Sequence, residues 1–208
     1  LLAIACLFLS ACTSRSYTSK MATTSVSAAD TLTAQQQRKF DYFYLEALRL
    51  KGNKDYDAAF DMIQHCLALN PRSAAALFEA GQYDISINKM TEGTGAIEKA
   101  AAYDPENYWF SQALANLYQQ QGDSIKAVGL LEQMAERFPS RQDVLLNLVD
   151  LYSQQKQYEK VVATLDRLEK TMGKNEQISM EKFRTYLLMG DNKKAFHEIE
   201  ALSQEYPM

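Results

Sequence analysis

Residues Tyr108 to Pro139 read YWFSQALANLYQQQGDSIKAVGLLEQMAERFP. Counted from Tyr108, the eighth residue is Ala115, the twentieth Ala127, the twenty-fourth Leu131 and the twenty-seventh Met134. Small residues at eight and twenty let two helices approach closely. The apolar pair at twenty-four and twenty-seven lies on one face of the second helix, because residues three apart share a face. Gly122-Asp123 supplies the turn between the helices. Pro139 closes the stretch, since proline restricts the residue before it and cannot continue the helical hydrogen-bond ladder. The stretch is a helix–turn–helix hairpin.

Outward from this hairpin the same pattern recurs. The four prolines, Pro71, Pro105, Pro139 and Pro207, are separated by 34, 34 and 68 residues, so all share one phase. Units of this length fall at 40–73, 74–107, 108–141, 142–175 and 176–208. Their eighth positions carry Ala47, Gly81, Ala115, Val149 and Phe183, and their twentieth Ala59, Gly93, Ala127, Val161 and Ala195. The twenty-fourth gives Ile63, Ile97, Leu131, Leu165 and Ile199; the twenty-seventh gives Cys66, Ala100, Met134, Leu168 and Leu202. In the fourth unit Gly173 takes the proline position, where it is expected to cap the helix. Breakers at this spacing are incompatible with the uninterrupted heptads of a long coiled coil.

Period and columns together resemble the tetratricopeptide repeat (TPR) family. The resemblance covers 40–208 and implies an all-α solenoid of five helix–turn–helix repeats forming a right-handed superhelix. Gly190-Asp191 matches the family's turn, and Lys54-Asp55-Tyr56 is a variant of it. The second unit departs most. Asp84 stands where the first helix usually has an aromatic residue, and Gly93 and Gly95 lie inside the second helix. Two internal glycines cost roughly 1–2 kcal/mol relative to alanine, so this unit is expected to be the least rigid. Lys182 occupies a position of the fifth unit where an apolar residue is common.

The N-terminus is of a different kind. Residues 1–11, LLAIACLFLSA, are apolar and uncharged. They are too short to span a bilayer, which takes about 20 residues, and match the core of a secretory signal. Leu9-Ser10-Ala11-Cys12 resembles the bacterial lipobox, which implies a covalent lipid on Cys12 and anchorage in a membrane. Residues 12–39 are expected to form the anchor and a disordered tether, because 11 of the 21 residues from Thr13 to Thr33 are Ser or Thr. Thr13, where Asp would imply inner-membrane retention, implies an outer-membrane lipoprotein of the cell envelope. The lack of an acidic run after Cys12 favours the periplasmic face. The chain lacks an initiator Met and a basic leader and stops where a sixth unit would begin. It is therefore expected to be the N-terminal part of a longer TPR lipoprotein. Tyr42 to Pro71 resembles the opening repeat of such proteins of the Bacteroidetes type.

Composition bounds the function. In 208 residues, 47% are hydrophobic and 23% charged, which excludes a disordered or collagen-like chain. With 22 Lys+Arg against 26 Asp+Glu, no general basic field exists to hold nucleic acid. The two histidines, His65 and His197, sit at different repeat positions on second helices and form no metal-binding pair. Gly93-Thr94-Gly95 lacks the third glycine and preceding strand of a dinucleotide loop. Cys66 falls in a core column, and Cys6 and Cys12 belong to the leader and anchor, so no disulfide is expected. Neither catalysis, nor a metal, nor a cofactor beyond the lipid is expected.

The resemblance places a partner-binding groove on the inner face of the first helices, at positions two, five, nine, twelve and thirteen. Tyr44, Phe78 and Trp109 are the candidate apolar anchors, residue types enriched in binding hot spots. Gln82, Gln112, Asn116 and Gln119 are candidates to pair with a partner's backbone, and Asp143, Asp150 and Arg184 add charge. A protein or peptide partner is expected there. Whether Trp109 instead packs between units two and three stays open from sequence. The cationic clamp that some TPR domains use is missing: Tyr44, Leu48, Glu79, Trp109 and Ala113 stand at its positions. A glycan-capturing lipoprotein on a TPR-like scaffold is the alternative reading.

Overall fold

The computed structural model describes residues 32–205. The expected signal, Cys12 and most of the tether lie outside the described residues, as does Pro207. Ten helices and no strand are found among the described residues. They are α1 (Ala34–Gly52), α2 (Tyr56–Leu69), α3 (Ala74–Ser86), α4 (Met90–Tyr103), α5 (Tyr108–Gln120), α6 (Ser124–Arg137), α7 (Gln142–Gln154), α8 (Tyr158–Met172), α9 (Glu176–Leu188) and α10 (Asn192–Glu205). Each packs on its neighbours in sequence, as in a solenoid, and the five units supply one hairpin apiece.

The tether ends earlier than the expected boundary at residue 39. Residues 34–39 belong to α1, not to a disordered segment. Thr33 begins the helix through a capping box: its hydroxyl accepts from the Gln36 amide, and the Gln36 side chain accepts from the Thr33 amide. These bonds satisfy donors that would otherwise be orphaned at the helix start. A run rich in Ser and Thr hides an N-cap, because the cap is made of the same residues.

All five turns place their fifteenth residue at positive φ: Lys54, Asn88, Gly122, Lys156 and Gly190. Two of these are glycine and Asn88 tolerates the left-handed conformation, so the hairpin geometry imposes it against preference only on Lys54 and Lys156. Gly173 also has positive φ, at the expected end of α8.

The core columns are buried in the first four units, whereas in the fifth only Ala195 is buried and Phe183, Ile199 and Leu202 are half-buried. Cys66, Ala100, Met134 and Leu168 are all at most 1% exposed. The thiol of Cys66 is pushed up to about 11 by burial. One core runs from Leu77 to Ile178, a second joins Ala47, Ile63, Cys66, Ala76 and Ala80, and Leu67 packs against both.

Unit two differs from expectation at Gly93. A Cβ there would meet the Gly81 carbonyl oxygen at 2.7 Å and the Ile85 side chain at 2.6 Å. Gly81 and Gly93 therefore let α3 and α4 cross in close contact, and the helix-propensity cost secures packing. Gly95 has nothing within 4 Å and does no such work.

The later seams share a polar ladder. The Tyr118 hydroxyl donates to Glu98 Oε1 at 2.7 Å, and the Tyr152 hydroxyl donates to Glu132 Oε1 in the same way one repeat later. Tyr186 and Asp166 hold the equivalent positions at the fourth seam. Lys126, Lys160 and Lys194 lie over the rings of Tyr118, Tyr152 and Tyr186 at 5.1, 4.9 and 5.6 Å. At the first seam Asp84 replaces the tyrosine. There Phe60 stacks on Tyr83 at 4.1 Å, and the Tyr83 hydroxyl donates to Asp57 at 2.7 Å.

Lys182 is buried, with its ammonium 2.7 Å from both Asp166 and Glu169 and 3.3 Å from Glu198. Lys174 bridges Glu169 and Glu198 at 3.2 and 3.3 Å. The position usually taken by an apolar residue thus holds an ionic cluster that ties α8, α9 and α10 together.

Candidate functional site: the inner face of the first helices

The odd-numbered helices α1 to α9 carry the candidate residues. Four of them start at a polar cap: the side chains of Thr33, Ser73, Asn107 and Asn175 accept backbone amides of α1, α3, α5 and α9. These caps fix where each helix begins and hence which residues face inward.

Trp109 is 66% exposed. This excludes burial between units two and three. Its ring meets Tyr108 edge-on at 5.2 Å, and the Arg141 guanidinium lies 3.7 Å from the Tyr108 ring centre and 5.3 Å from that of Trp109. The cation holds the indole on the surface from one side. The Tyr108 hydroxyl stands 2.8 Å from Gln112 Oε1 and hydrogen-bonds Asp143, which pins Asp143 to the preceding repeat. Burial and the Asp143 carboxylate together push the Tyr108 phenol up to about 12. Gln112 donates to Asn116 at 2.9 Å, so in the third unit Trp109 is linked through Tyr108 to the row of Gln112 and Asn116. Gln119, half-buried, continues it.

The other two expected anchors are less available. Phe78 is half-buried and packs on Phe110 at 4.6 Å. Tyr44 is half-buried and stacks on Phe40 at 6.0 Å. Gln82 is exposed and lies 3.1 Å from the Lys51 ammonium, which pairs with Glu79 at 2.6 Å. Asp150 is exposed and in no ion pair among the described residues, whereas the exposed Arg184 meets Glu181 at 3.5 Å. The candidates therefore form a row along the groove and not one convergent centre.

Among the pockets that open along the row, two lie between neighbouring hairpins, and the amino-acid pattern did not disclose them. One, of about 310 Å³, lies between α1, α2 and α3 and includes Leu48, Lys51, Tyr56, Phe60, Glu79 and Gln82. The other, of about 250 Å³, lies between α7, α8 and α9. No group of three or more potential metal ligands occurs among the described residues, and no described helix is long and apolar enough to cross a membrane. His65 and His197 are exposed, and His65 stacks on Phe43 at 4.8 Å.

Residues 120–180 match the family model of the tetratricopeptide repeat. No curated protein matches the chain. Among solved structures, MamA of AMB-1 aligns at TM-score 0.59 and 15% identity, over 81% of this chain and 92% of that one. A tetratricopeptide repeat protein from Parabacteroides merdae aligns at TM-score 0.60 and 17% identity, over 82% of this chain and 68% of its own length. YrrB, described as a TPR protein with an unusual peptide-binding site, aligns at TM-score 0.57 and 14% identity, over 79% of this chain and 85% of that one. At such identities the likeness is one of fold. Residues 120–180 thus match the tetratricopeptide repeat model, and the five hairpins in one register share the fold of these solved tetratricopeptide repeat structures.

Proposed function

We propose that this chain is a non-catalytic interaction scaffold that holds a protein segment along the inner face of its first helices. The exposed Trp109, braced by Arg141 and continued by Gln112 and Asn116, is the observation that carries this reading. An indole held out in water beside aligned amides offers a partner apolar contact and backbone hydrogen bonds together. The peptide-binding site named for YrrB supports the same use of the fold.

The reading extends to an anchored protein of the bacterial envelope. The tetrad Leu9-Ser10-Ala11-Cys12 supports a lipid on Cys12, and Thr13 supports an outer-membrane, periplasm-facing site. One acyl chain holds only marginally, so stable attachment takes two or more. The scaffold would then present its groove to other envelope proteins.

An array of random decapeptides probed with the purified chain tests the groove. Replacing Trp109 and Tyr44 by Ala should weaken the selected peptides by about tenfold or more, the scale of a hot-spot loss. Binding that is unchanged in the double variant would remove the groove as the site. Glycan-array binding with no peptide binding would favour the carbohydrate alternative.

A further inference from the structure

Glu181 and Asp150 both line the pocket between α7, α8 and α9, above a floor that includes Leu146, Met172 and Ile178. The repeat register shows what is unusual here. At the seam between units one and two, the sixth position of the second unit is Glu79 and the twelfth of the first is Lys51. That ammonium sits 2.6 Å from the Glu79 carboxylate and 3.1 Å from Gln82 Oε1. At the seam between units four and five the same two positions carry Glu181 and Ser153. The glutamate is kept and the lysine is gone. The ninth position of unit four adds a second carboxylate, Asp150, where unit one has Leu48. The intervening seams have Ala113 and Asn147 at the sixth position, so neither carries this acid.

No group of the described chain neutralises the pair as Lys51 does Glu79. Asp150 is in no ion pair among the described residues. Glu181 meets Arg184 at 3.5 Å, but that contact is an i,i+3 pair on one helix with the arginine side chain 67% exposed. Such surface pairs contribute little and exchange readily. Lys174 and Lys182 are engaged with Glu169 and Glu198 in the cluster beneath α9.

We propose that this pocket receives the side chain of a lysine or arginine from an extended peptide lying in the groove. The aliphatic stem rests on Leu146, Met172 and Ile178, and the cationic head lies between Asp150 and Glu181. Long basic side chains divide in this way, stem on apolar surface and head on charge, and hydrogen bonds between two ions are the stronger kind. Lys51 beside Glu79 is the chain's own example of the contact. The proposal rests on the groove being a peptide site and names what its C-terminal half selects.

The test uses the best binder from the decapeptide array. Its Lys or Arg is replaced by norleucine, which keeps an aliphatic stem and removes the cation. In the native chain the replacement should weaken binding about tenfold, and in an Asp150→Asn/Glu181→Gln variant less than about twofold. Both substitutions are at the surface, and an unchanged helical circular-dichroism spectrum and melting temperature confirm that the variant is folded. Equal losses in the two proteins overturn the pocket assignment. So do selected peptides without Lys or Arg, although Trp109→Ala still weakening them would leave the groove reading standing. An array without binders overturns both. Spermidine binding as tightly as the peptide, with the same dependence on Asp150, overturns the peptide assignment in favour of a free polyamine.

Discussion

Gly81 and Gly93 face each other across α3 and α4 so closely that a Cβ on Gly93 would lie 2.7 Å from the Gly81 carbonyl oxygen. A contact that short forces a helix to shift. Gly93→Ala should destabilise the chain by about 1–3 kcal/mol, the usual cost of overpacking. Gly95→Ala, two residues away with open space around it, should stabilise by up to about 1 kcal/mol through helix propensity. Urea unfolding of the two variants checks the opposite signs.

The seam tyrosines give the protein an alkaline limit. Burial, reinforced by the acceptor carboxylates, raises the phenols of Tyr118 and Tyr152 above their ordinary value of 10, and Tyr108 reaches about 12. The folded chain thus keeps protons that the unfolded chain has lost. Stability from these groups is full below pH 10 and falls as the pH climbs toward about 12. A Tyr108→Phe/Tyr118→Phe/Tyr152→Phe variant should start less stable and show a shallower decline. Denaturant midpoints between pH 8 and 11.5 measure it.

At the other end of the scale, Lys182 sets the behaviour of the last repeat. Removing it leaves Asp166, Glu169 and Glu198 facing one another without their buried partner, and Lys182→Ala should cost about 3 kcal/mol. Burial pushes the Glu169 carboxyl up, but hydrogen bonds from Lys182 and Lys174 outweigh that and hold it below 4.5. Its contribution is present above pH 4.5 and is lost as the pH falls through the lowered value. Hydrogen exchange should therefore show α9 and α10 opening first in acid, and Lys182→Ala should bring that opening to neutral pH.

Thr33 marks where a soluble chain has to begin. Thr33→Ala should cost about 1 kcal/mol, the usual value of an N-cap. A chain starting at Phe40 should melt lower than one starting at Leu32, because it also loses the first turns of α1. Thermal unfolding of both compares them directly.

Cys12 is tested in cells. Cys12→Ser should move the protein from the membrane fraction to the soluble one, and a protein still pelleting with membranes would contradict the lipid anchor.

The hairpins were legible in the amino-acid sequence because each column reports one repeated local geometry. Ala127, Leu131 and Met134 mean the same thing in unit three as Val161, Leu165 and Leu168 do in unit four. What escaped was pairwise. Gly93 reads as a weak helix residue until Gly81 is placed opposite it. Lys182 reads as a departure until its three carboxylates, up to 16 residues away, converge on it. Tyr118 and Glu98 recur at a constant spacing with Tyr152 and Glu132, so the ladder was open to detection by asking which charges repeat, and not only which apolar residues do. For the candidate groove, the register names a face but says nothing of how exposed its residues are. Phe78 and Trp109 looked alike as anchors, and only the packing of Phe78 on Phe110 separates them.

Trp109 is the chain's only tryptophan, so its emission reports on the groove alone. At 66% exposure it is solvated in the free protein. Titration with the selected peptide should shift its emission to the blue and saturate at the same concentration as binding measured by calorimetry. A peptide that saturates by calorimetry and leaves the Trp109 emission unchanged would contradict the claim that partners lie along the inner face.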